Sequence, residues 1–414
     1  MAKAIGSNHT NIAIVECGLE EWTLARILLL SPYEPPSDGI ARHSAHLVDA
    51  WDSAGHSVLV ISPGTKRGSN TSEDIGQRSK VSRIMRKTPR RSVSNEALSF
   101  DPDIVVVQFS IATFNVDLWS VTNLSKRFGA ARVPVVVAFH ETAREYDLLG
   151  PVTRFIYRSI VRVTDVPVVF SSAGRQALVE NKLFDEVIEI PHGTTGIAPV
   201  TDVDFKRVRD RYQIRKPLVL ALGFTDSDKG TDVLLGAASA VSTGVGDDVQ
   251  FLIAGAPRRR RGIFRIMERR DFKYQRRLTT MAAEMQQVDI AFCGYVADGD
   301  VGPLLRMADV VSLPYRRITQ SGIGNLALSS RAVIVSSDLP GLRSDLGDAA
   351  RYFEPGDAKA MANEIIGLLG DDHESDREQL RELAGIRAAS NTYGIVAGLI
   401  LSAGLACRDG RDSQ

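Results

Sequence analysis

The apolar positions of this chain gather into short continuous runs. Each is followed by small or turn-forming residues and then by a stretch whose apolar residues recur at helical spacing. In the first half the runs fall at 26–30, 57–62, 104–109, 133–140, 166–171 and 187–190. Runs that are apolar without alternation are those of parallel strands buried on both faces by helices. Residues 26–30, then Pro32, Pro35, Pro36 and Gly39, a helical pattern over 40–51 and the run 57–62 make the opening strand-helix-strand unit. A second series opens at Pro217, with runs at 217–223, 249–255, 289–294, 309–315, 332–336 and 350–354, then helical patterns at 358–369 and 374–388 and an apolar segment at 393–405. The pattern predicts an α/β protein of two tandem Rossmann-like, doubly wound domains facing across a cleft. The expected division is an extension at 1–24, a first domain over 25–212 to which a helix at about 390–406 returns, and a second domain over 213–389. At 414 residues the chain is long for a single core, which agrees with two.

Composition narrows the partners. Fifty basic residues balance fifty acidic ones, so no bulk field favours nucleic acid. Cys17, Cys293 and Cys407 are odd in number and far apart, as in a reducing compartment, and the expectation is a cytoplasmic protein without a signal peptide. Glu16, Glu20, Glu21 and Arg26 interrupt the early apolar stretch, and 393–405 is too short to span a bilayer.

Two turns of the second series hold groups suited to an anion. Lys229-Gly230 follows the run 217–223, and Gln320-Ser321-Gly322 follows 309–315. In a doubly wound sheet such turns lie at the carboxyl ends of the strands, where helix N-termini present unpaired amides and partial positive charge. A lysine there is electrostatically costly unless an anion joins it.

The chain resembles the group 1 glycosyltransferases, family 4 in the sugar-enzyme classification, which have the GT-B fold. The resemblance rests on Ile27 through Tyr33 with Pro35-Pro36 and Gly39-Ile40-Ala41, on Ala54-Gly55-His56, Pro102-Asp103, Phe139-His140 and Ile190-Pro191-His192-Gly193. In the second series it rests on Leu222-Gly223-Phe224, Lys229-Gly230, Ile253-Ala254-Gly255, Cys293-Gly294-Tyr295-Val296, Leu313-Pro314-Tyr315, Gln320-Ser321-Gly322 and Glu354-Pro355-Gly356-Asp357. It implies transfer of a hexose from a nucleotide diphosphate sugar to an acceptor hydroxyl, with retention, in polysaccharide, glycolipid or glycoside synthesis. It assigns Lys229 to the donor diphosphate, Gly39 to close backbone approach to phosphate, His140 to the donor sugar and acceptor side, and Gly294, Tyr295 and Val296 to the nucleobase. The amides of Ser321 and Gly322 and the Ser321 hydroxyl suit phosphate oxygens, and Gln320 opens that turn.

There are departures. Asp38 precedes Gly39, so half of a Gly-Gly loop is present; Phe224, in the donor turn, stands where the family has an arginine; and the family's paired glutamates are absent, with Gln320-Ser321-Gly322 and Leu326-Ala327-Leu328-Ser329 in their regions. Two other readings therefore stand beside the enzyme: a GT-B-like binding or scaffold subunit, and a sugar-nucleotide epimerase, for which no acid-base carboxylates are evident in the turns. Neither Asp101-Pro102-Asp103, at the amino edge, nor Asp226-Ser227-Asp228, an acidic turn able to cap the Lys229 helix, calls for a metal, and no cofactor is expected beyond the substrate nucleotide, UDP- or GDP-linked. The basic stretch from Lys66 to Arg91 reads as a solvated loop or as a peripheral contact with anionic lipid. A second cluster, Arg258 to Arg261 with Arg265, Arg269, Arg270, Lys273, Arg276 and Arg277, lies where it could replace the cation lost at Phe224.

Overall fold

A computed structural model describes residues 24–34, 39–63, 71–84, 90–111, 118–142, 146, 150–196, 200–215, 217–246, 249–257, 265–318, 321–370 and 373–412. The chain divides into two units, Met1–Gly193 with Tyr393–Gln414, and Thr194–Thr392.

In the first unit the elements are β1 (Arg26–Leu30), α1 (Gly39–Ser53), β2 (Ser57–Pro63), β3 (Thr71–Asp74), β4 (Ser79–Ile84), α2 (Arg90–Phe100), β5 (Ile104–Phe109), α3 (Leu118–Ala130), β6 (Val135–Phe139), α4 (Pro151–Val161), β7 (Val166–Val169), α5 (Ser172–Glu180) and β8 (Ile188–Glu189). Their eight-stranded sheet runs β3-β4-β2-β1-β5-β6-β7-β8, parallel except where β3 meets β4. β1 is central, with Leu28 opposite both Leu59 and Val105. Its residues alternate between two cores: Ile27 and Leu29 join Trp51 and Val396 on one face, and Leu28 and Leu30 join Phe109 and Tyr157 on the other. Both faces are covered, which is why the strands read as unbroken apolar runs.

The stretch 66–91 is not a loop throughout, as one of its two readings had it. Within it β3 and β4 form an antiparallel pair that extends the sheet. Val81 is buried, and Arg83 is buried because it donates to the carbonyls of Tyr33 and Glu34. Arg78 and Lys80 remain exposed, while Lys66, Arg67, Arg86 and Lys87 lie outside the described residues.

The second unit contains α6 (Asp202–Tyr212), β9 (Leu218–Leu222), α7 (Thr231–Val245), β10 (Gln250–Ala254), α8 (Arg265–Glu284), β11 (Asp289–Phe292), α9 (Asp298–Met307), β12 (Val310–Leu313), α10 (Gly322–Ser329), β13 (Ile334–Ser337), α11 (Pro340–Leu346), β14 (Ala350–Phe353), α12 (Ala358–Leu369) and α13 (Glu374–Ser390). Its parallel sheet has the order β11-β10-β9-β12-β13-β14. After β9 the chain moves toward β10, and after β12 it moves the opposite way, toward β13. The strand order thus reverses between β9 and β12, and their carboxyl ends open a crevice there.

The boundary between units falls before α6, earlier in the chain than the apolar pattern alone placed it. Arg207, Arg211 and Tyr212 of that helix all donate to Asp300 of α9, whose side chain is buried. Burial pushes the Asp300 carboxyl up, and those three donors overcome this and hold it below the usual range. The helix therefore belongs to the second unit.

The final helix, α14 (Tyr393–Asp412), belongs to the first unit. Val396, Ala397, Ile400 and Leu401 are buried with the β1 core, and the Trp51 indole donates to the Ala397 carbonyl at 3.0 Å. Val396, Ile400 and Leu401 each contribute roughly 1.5–3 kcal/mol on full burial. Gly404 sits so close to β5 that a Cβ there would lie 2.0 Å from Ile104 Cδ1. Among the described residues no helix is long and apolar enough to cross a membrane.

Candidate active site

The strand-order reversal of the second unit brings the two singled-out turns together. Leaving β9, the chain passes Gly223 at φ 124° and Phe224, which is 47% exposed, and enters a short 3-10 turn at Ser227–Lys229. Asp226 caps that turn, its Oδ1 accepting from the Asp228 and Lys229 amides at 3.0 and 3.2 Å. Asp226 is thus used for capping. Gly230 follows at φ 63°, and a Cβ there would stand 1.8 Å from the Pro314 carbonyl oxygen. Glycine is required on both counts, conformation and contact. α7 starts at the next residue, so the positive end of its dipole lies beside Lys229.

The Lys229 ammonium rests 3.8 Å above the ring of Tyr315. Among the described residues no carboxylate pairs with it. Tyr315 is buried just beyond β12, and its hydroxyl lies 3.4 Å from Ser321 Oγ, so one ring joins the lysine turn to the start of α10. Ser321 caps α10 by accepting from the Gly324 amide at 2.9 Å. Its own amide donates to Asp345 at 3.0 Å. Both polar groups of Ser321 are therefore engaged within the protein, and the amides of Gly322 and Ile323 are those α10 leaves open. Ile323 also touches the Gly223 turn, at 3.3 Å from where a Cβ would be. Gln320 lies outside the described residues.

The nucleobase turn follows β11. Gly294 has φ 70°, Tyr295 is 69% exposed and donates to Asp298 at 3.1 Å, and Val296 is buried in the core. Tyr295, Cys293 and Phe292 line a concavity of about 460 Å³ with Arg211, Tyr212 and Gln213. Burial raises the Cys293 thiol above its ordinary value.

His140 ends β6 in the first unit and is 2% exposed. Its Nε2 donates to Gln108 Oε1 at 2.6 Å, and its ring centroid lies 4.9 Å from Phe170 and 5.2 Å from His43. His43 approaches the Tyr393 hydroxyl at 3.0 Å through Nδ1 and lies 5.1 Å from His192. Burial, reinforced by His192, pushes His140 down to about 3; burial pushes His192 down to about 4; and His43 is lowered well below its ordinary value, first by burial and then by the imidazoles of His192, His140 and His46. The three rings are neutral at physiological pH. Gly39 is the exposed first residue of α1, with nothing near the place of a Cβ. Asp103 accepts from the Arg26 amide at 2.8 Å and so lies at the amino edge of its own sheet.

Sequence reasoning missed Tyr315 and Asp345 as the residues that tie the two anion-facing turns together, and His43 and His192 as neighbours of His140. His192 was visible within Ile190-Pro191-His192-Gly193. Its contact with α1 depends on the tertiary fold.

Comparison with known families decides the assignment. Residues 216–371 match the family described as Glycosyl transferases group 1, and residues 37–194 match Glycosyltransferase Family 4. The chain belongs to the group 1 glycosyltransferases. A phosphatidyl-myo-inositol mannosyltransferase of Mycolicibacterium smegmatis is 26% identical over 365 residues, covering 84% of this chain and 85% of that protein. In fold the glycosyltransferase is similar to an α,α-trehalose-phosphate synthase (UDP-forming) of Burkholderia vietnamiensis, with TM-score 0.70 at 14% identity over 93% of this chain and 99% of that one. It is also similar to the sucrose-phosphate synthase of Thermosynechococcus elongatus, with TM-score 0.68 at 16% identity over 94% and 100%. A third likeness is to Anabaena HepE in complex with UDP and glucose, with TM-score 0.69 at 14% identity over 92% and 99%. The two Rossmann-like units of this glycosyltransferase are those of the GT-B fold.

Proposed function

We propose that this glycosyltransferase transfers a hexose from a nucleotide diphosphate sugar to an acceptor hydroxyl with retention, and that Lys229 and the open amides of α10 meet the donor diphosphate. The observation that carries the reading is the convergence of Lys229, Tyr315 and the α10 N-terminus at the strand-order reversal of the second unit. An ammonium that no carboxylate pairs with among the described residues, next to two helix N-termini, is a site where the negative charge that builds on a departing phosphate is stabilised. In the proposed reaction the acceptor oxygen bonds to the anomeric carbon on the face from which the diphosphate leaves, and the acceptor proton passes to the departing phosphate. The reading has Lys229 and the open amides of α10, not a carboxylate-bound divalent cation, meet the diphosphate charge. His140, held neutral, is proposed to act on the sugar as a hydrogen-bonding group and not as a proton carrier. Gly294, Tyr295 and Val296 are proposed to meet the base. The name of the 26% identical relative supports a mannosyl donor and a lipid acceptor, and that of the UDP- and glucose-bound structure supports a nucleotide-sugar donor.

The test is release of nucleoside diphosphate from UDP-glucose and GDP-mannose by the purified protein, with and without EDTA, and by Lys229→Ala. The expected result is turnover of one donor, insensitive to EDTA and reduced about 10²-fold or more in the variant. Undiminished turnover by Lys229→Ala removes the assignment. Nucleotide binding without turnover of any donor favours a binding subunit.

A further inference from the structure

Arg270 and Arg277 of α8 line an opening that Lys229 does not. It is a separate concavity of about 490 Å³, lined also by Ser227, Asp228, Asp232, Tyr274, Arg316 and Arg317, a volume in the range of ligand pockets. Neither Lys229, Tyr315 nor Ser321 lines it. Consecutive residues after β12 explain the separation. Tyr315 turns to Lys229, whereas Arg316 turns to Asp232, which it grips through both carboxylate oxygens at 2.6 and 2.9 Å. Tyr274 donates to the same carboxylate at 2.5 Å. Burial pushes Asp232 up, and the Arg316 and Tyr274 hydrogen bonds outweigh this and keep it ionised. Its charge is thereby matched by Arg316. Arg270, Arg277 and Arg317 then face the concavity against Asp228 alone, and among the described residues none of the three is held in an ion pair.

We propose that this concavity is a second anion site, distinct from the proposed donor site, and that it binds a phosphate-bearing ligand. Three guanidiniums around one opening present planar forks of donors, which suit the several oxygens of phosphate better than one carboxylate. The amides of Arg316 and Arg317 donate to the Asp228 carbonyl, at 2.7 and 3.4 Å, immediately before Lys229. An occupant held by these arginines therefore acts on the turn that presents the lysine.

The test is calorimetric titration of inorganic pyrophosphate into the full chain, into Lys229→Ala and into Arg270→Ala/Arg277→Ala, with circular dichroism to verify folding of each. The expected result is that Lys229→Ala keeps a pyrophosphate site which the double variant weakens about tenfold or more. Loss of all binding in Lys229→Ala, no change in the double variant, or no binding to the unaltered protein at millimolar pyrophosphate overturns the proposal. Sedimentation with phosphatidylcholine vesicles, with and without phosphatidic acid, identifies the source. Binding to the phosphatidic acid vesicles that the double variant loses points to a lipid headgroup, and pyrophosphate binding without it points to a soluble phosphate. Failure of donor turnover would leave this result standing, so the two readings fail separately.

Discussion

Acidification acts on the first unit through its buried imidazoles. In the unfolded chain a histidine titrates near 6.5, whereas His140 in the folded protein is pushed down to about 3. A lowered folded value means that the unfolded state binds the proton first. The contribution is thus fully present above about pH 6.5 and is lost as pH falls from there toward the folded value. Between pH 7 and pH 5 the linkage for His140 alone amounts to about 2 kcal/mol. His192 and His43 shift in the same direction and add to the loss. The measurement is urea unfolding at pH 7, 6 and 5 followed by tryptophan fluorescence. Trp51 is buried in the β1 core of the first unit, so its signal reports that unit. His140→Asn should be less stable than the unaltered protein at pH 7, having lost the Gln108 hydrogen bond and ring packing. The gap should narrow by about 2 kcal/mol at pH 5, because the variant lacks the proton uptake. Parallel stability curves for the two proteins over this range would show that His140 is not held neutral by burial and would refute the reasoning.

Other outcomes follow from single contacts. Gly230→Ala combines a positive φ with a Cβ directed at the Pro314 carbonyl, so the second unit should lose about 1–3 kcal/mol in chemical denaturation and donor turnover should fall with Lys229 displaced; wild-type stability would refute the tight approach. Asp300→Ala removes the acceptor shared by Arg207, Arg211 and Tyr212 and should cost about 1–3 kcal/mol, more than Arg207→Ala, read as a lower melting temperature; an unchanged melt would mean that α6 is held by other contacts.

The sheets were legible because their strands are buried on both faces. Residues 104–109 show this, their apolar run coinciding with β5, in which every position is buried. The β3–β4 pair was not legible. Lys80 and Arg83 break the apolar pattern, and the buried Arg83 donates to backbone carbonyls distant in sequence. Lys229-Gly230 could be singled out from local sequence, since a lysine beside a helix start is unfavourable without an anion. The role of Tyr315 beneath it could not, because that contact depends on the strand-order reversal that sets β12 beside β9. The engagement of the Ser321 amide was hidden for the same reason: its partner, Asp345, lies on another helix. The placement of Arg270 and Arg277 in an opening that Lys229 does not line likewise goes with the alternation of Tyr315 and Arg316, a tertiary fact.

The placement of α14 has a consequence for how the polypeptide is made. Thr194–Thr392 is contiguous, so it has all of its own segments once residue 392 has left the ribosome. The earlier-synthesised unit must wait for Val396, Ala397, Ile400 and Leu401 to cover one face of its sheet. During translation that nascent apolar surface stays open while the intervening unit folds. A premature stop a few codons before Tyr393 would therefore yield a product whose defect lies in the segment encoded first.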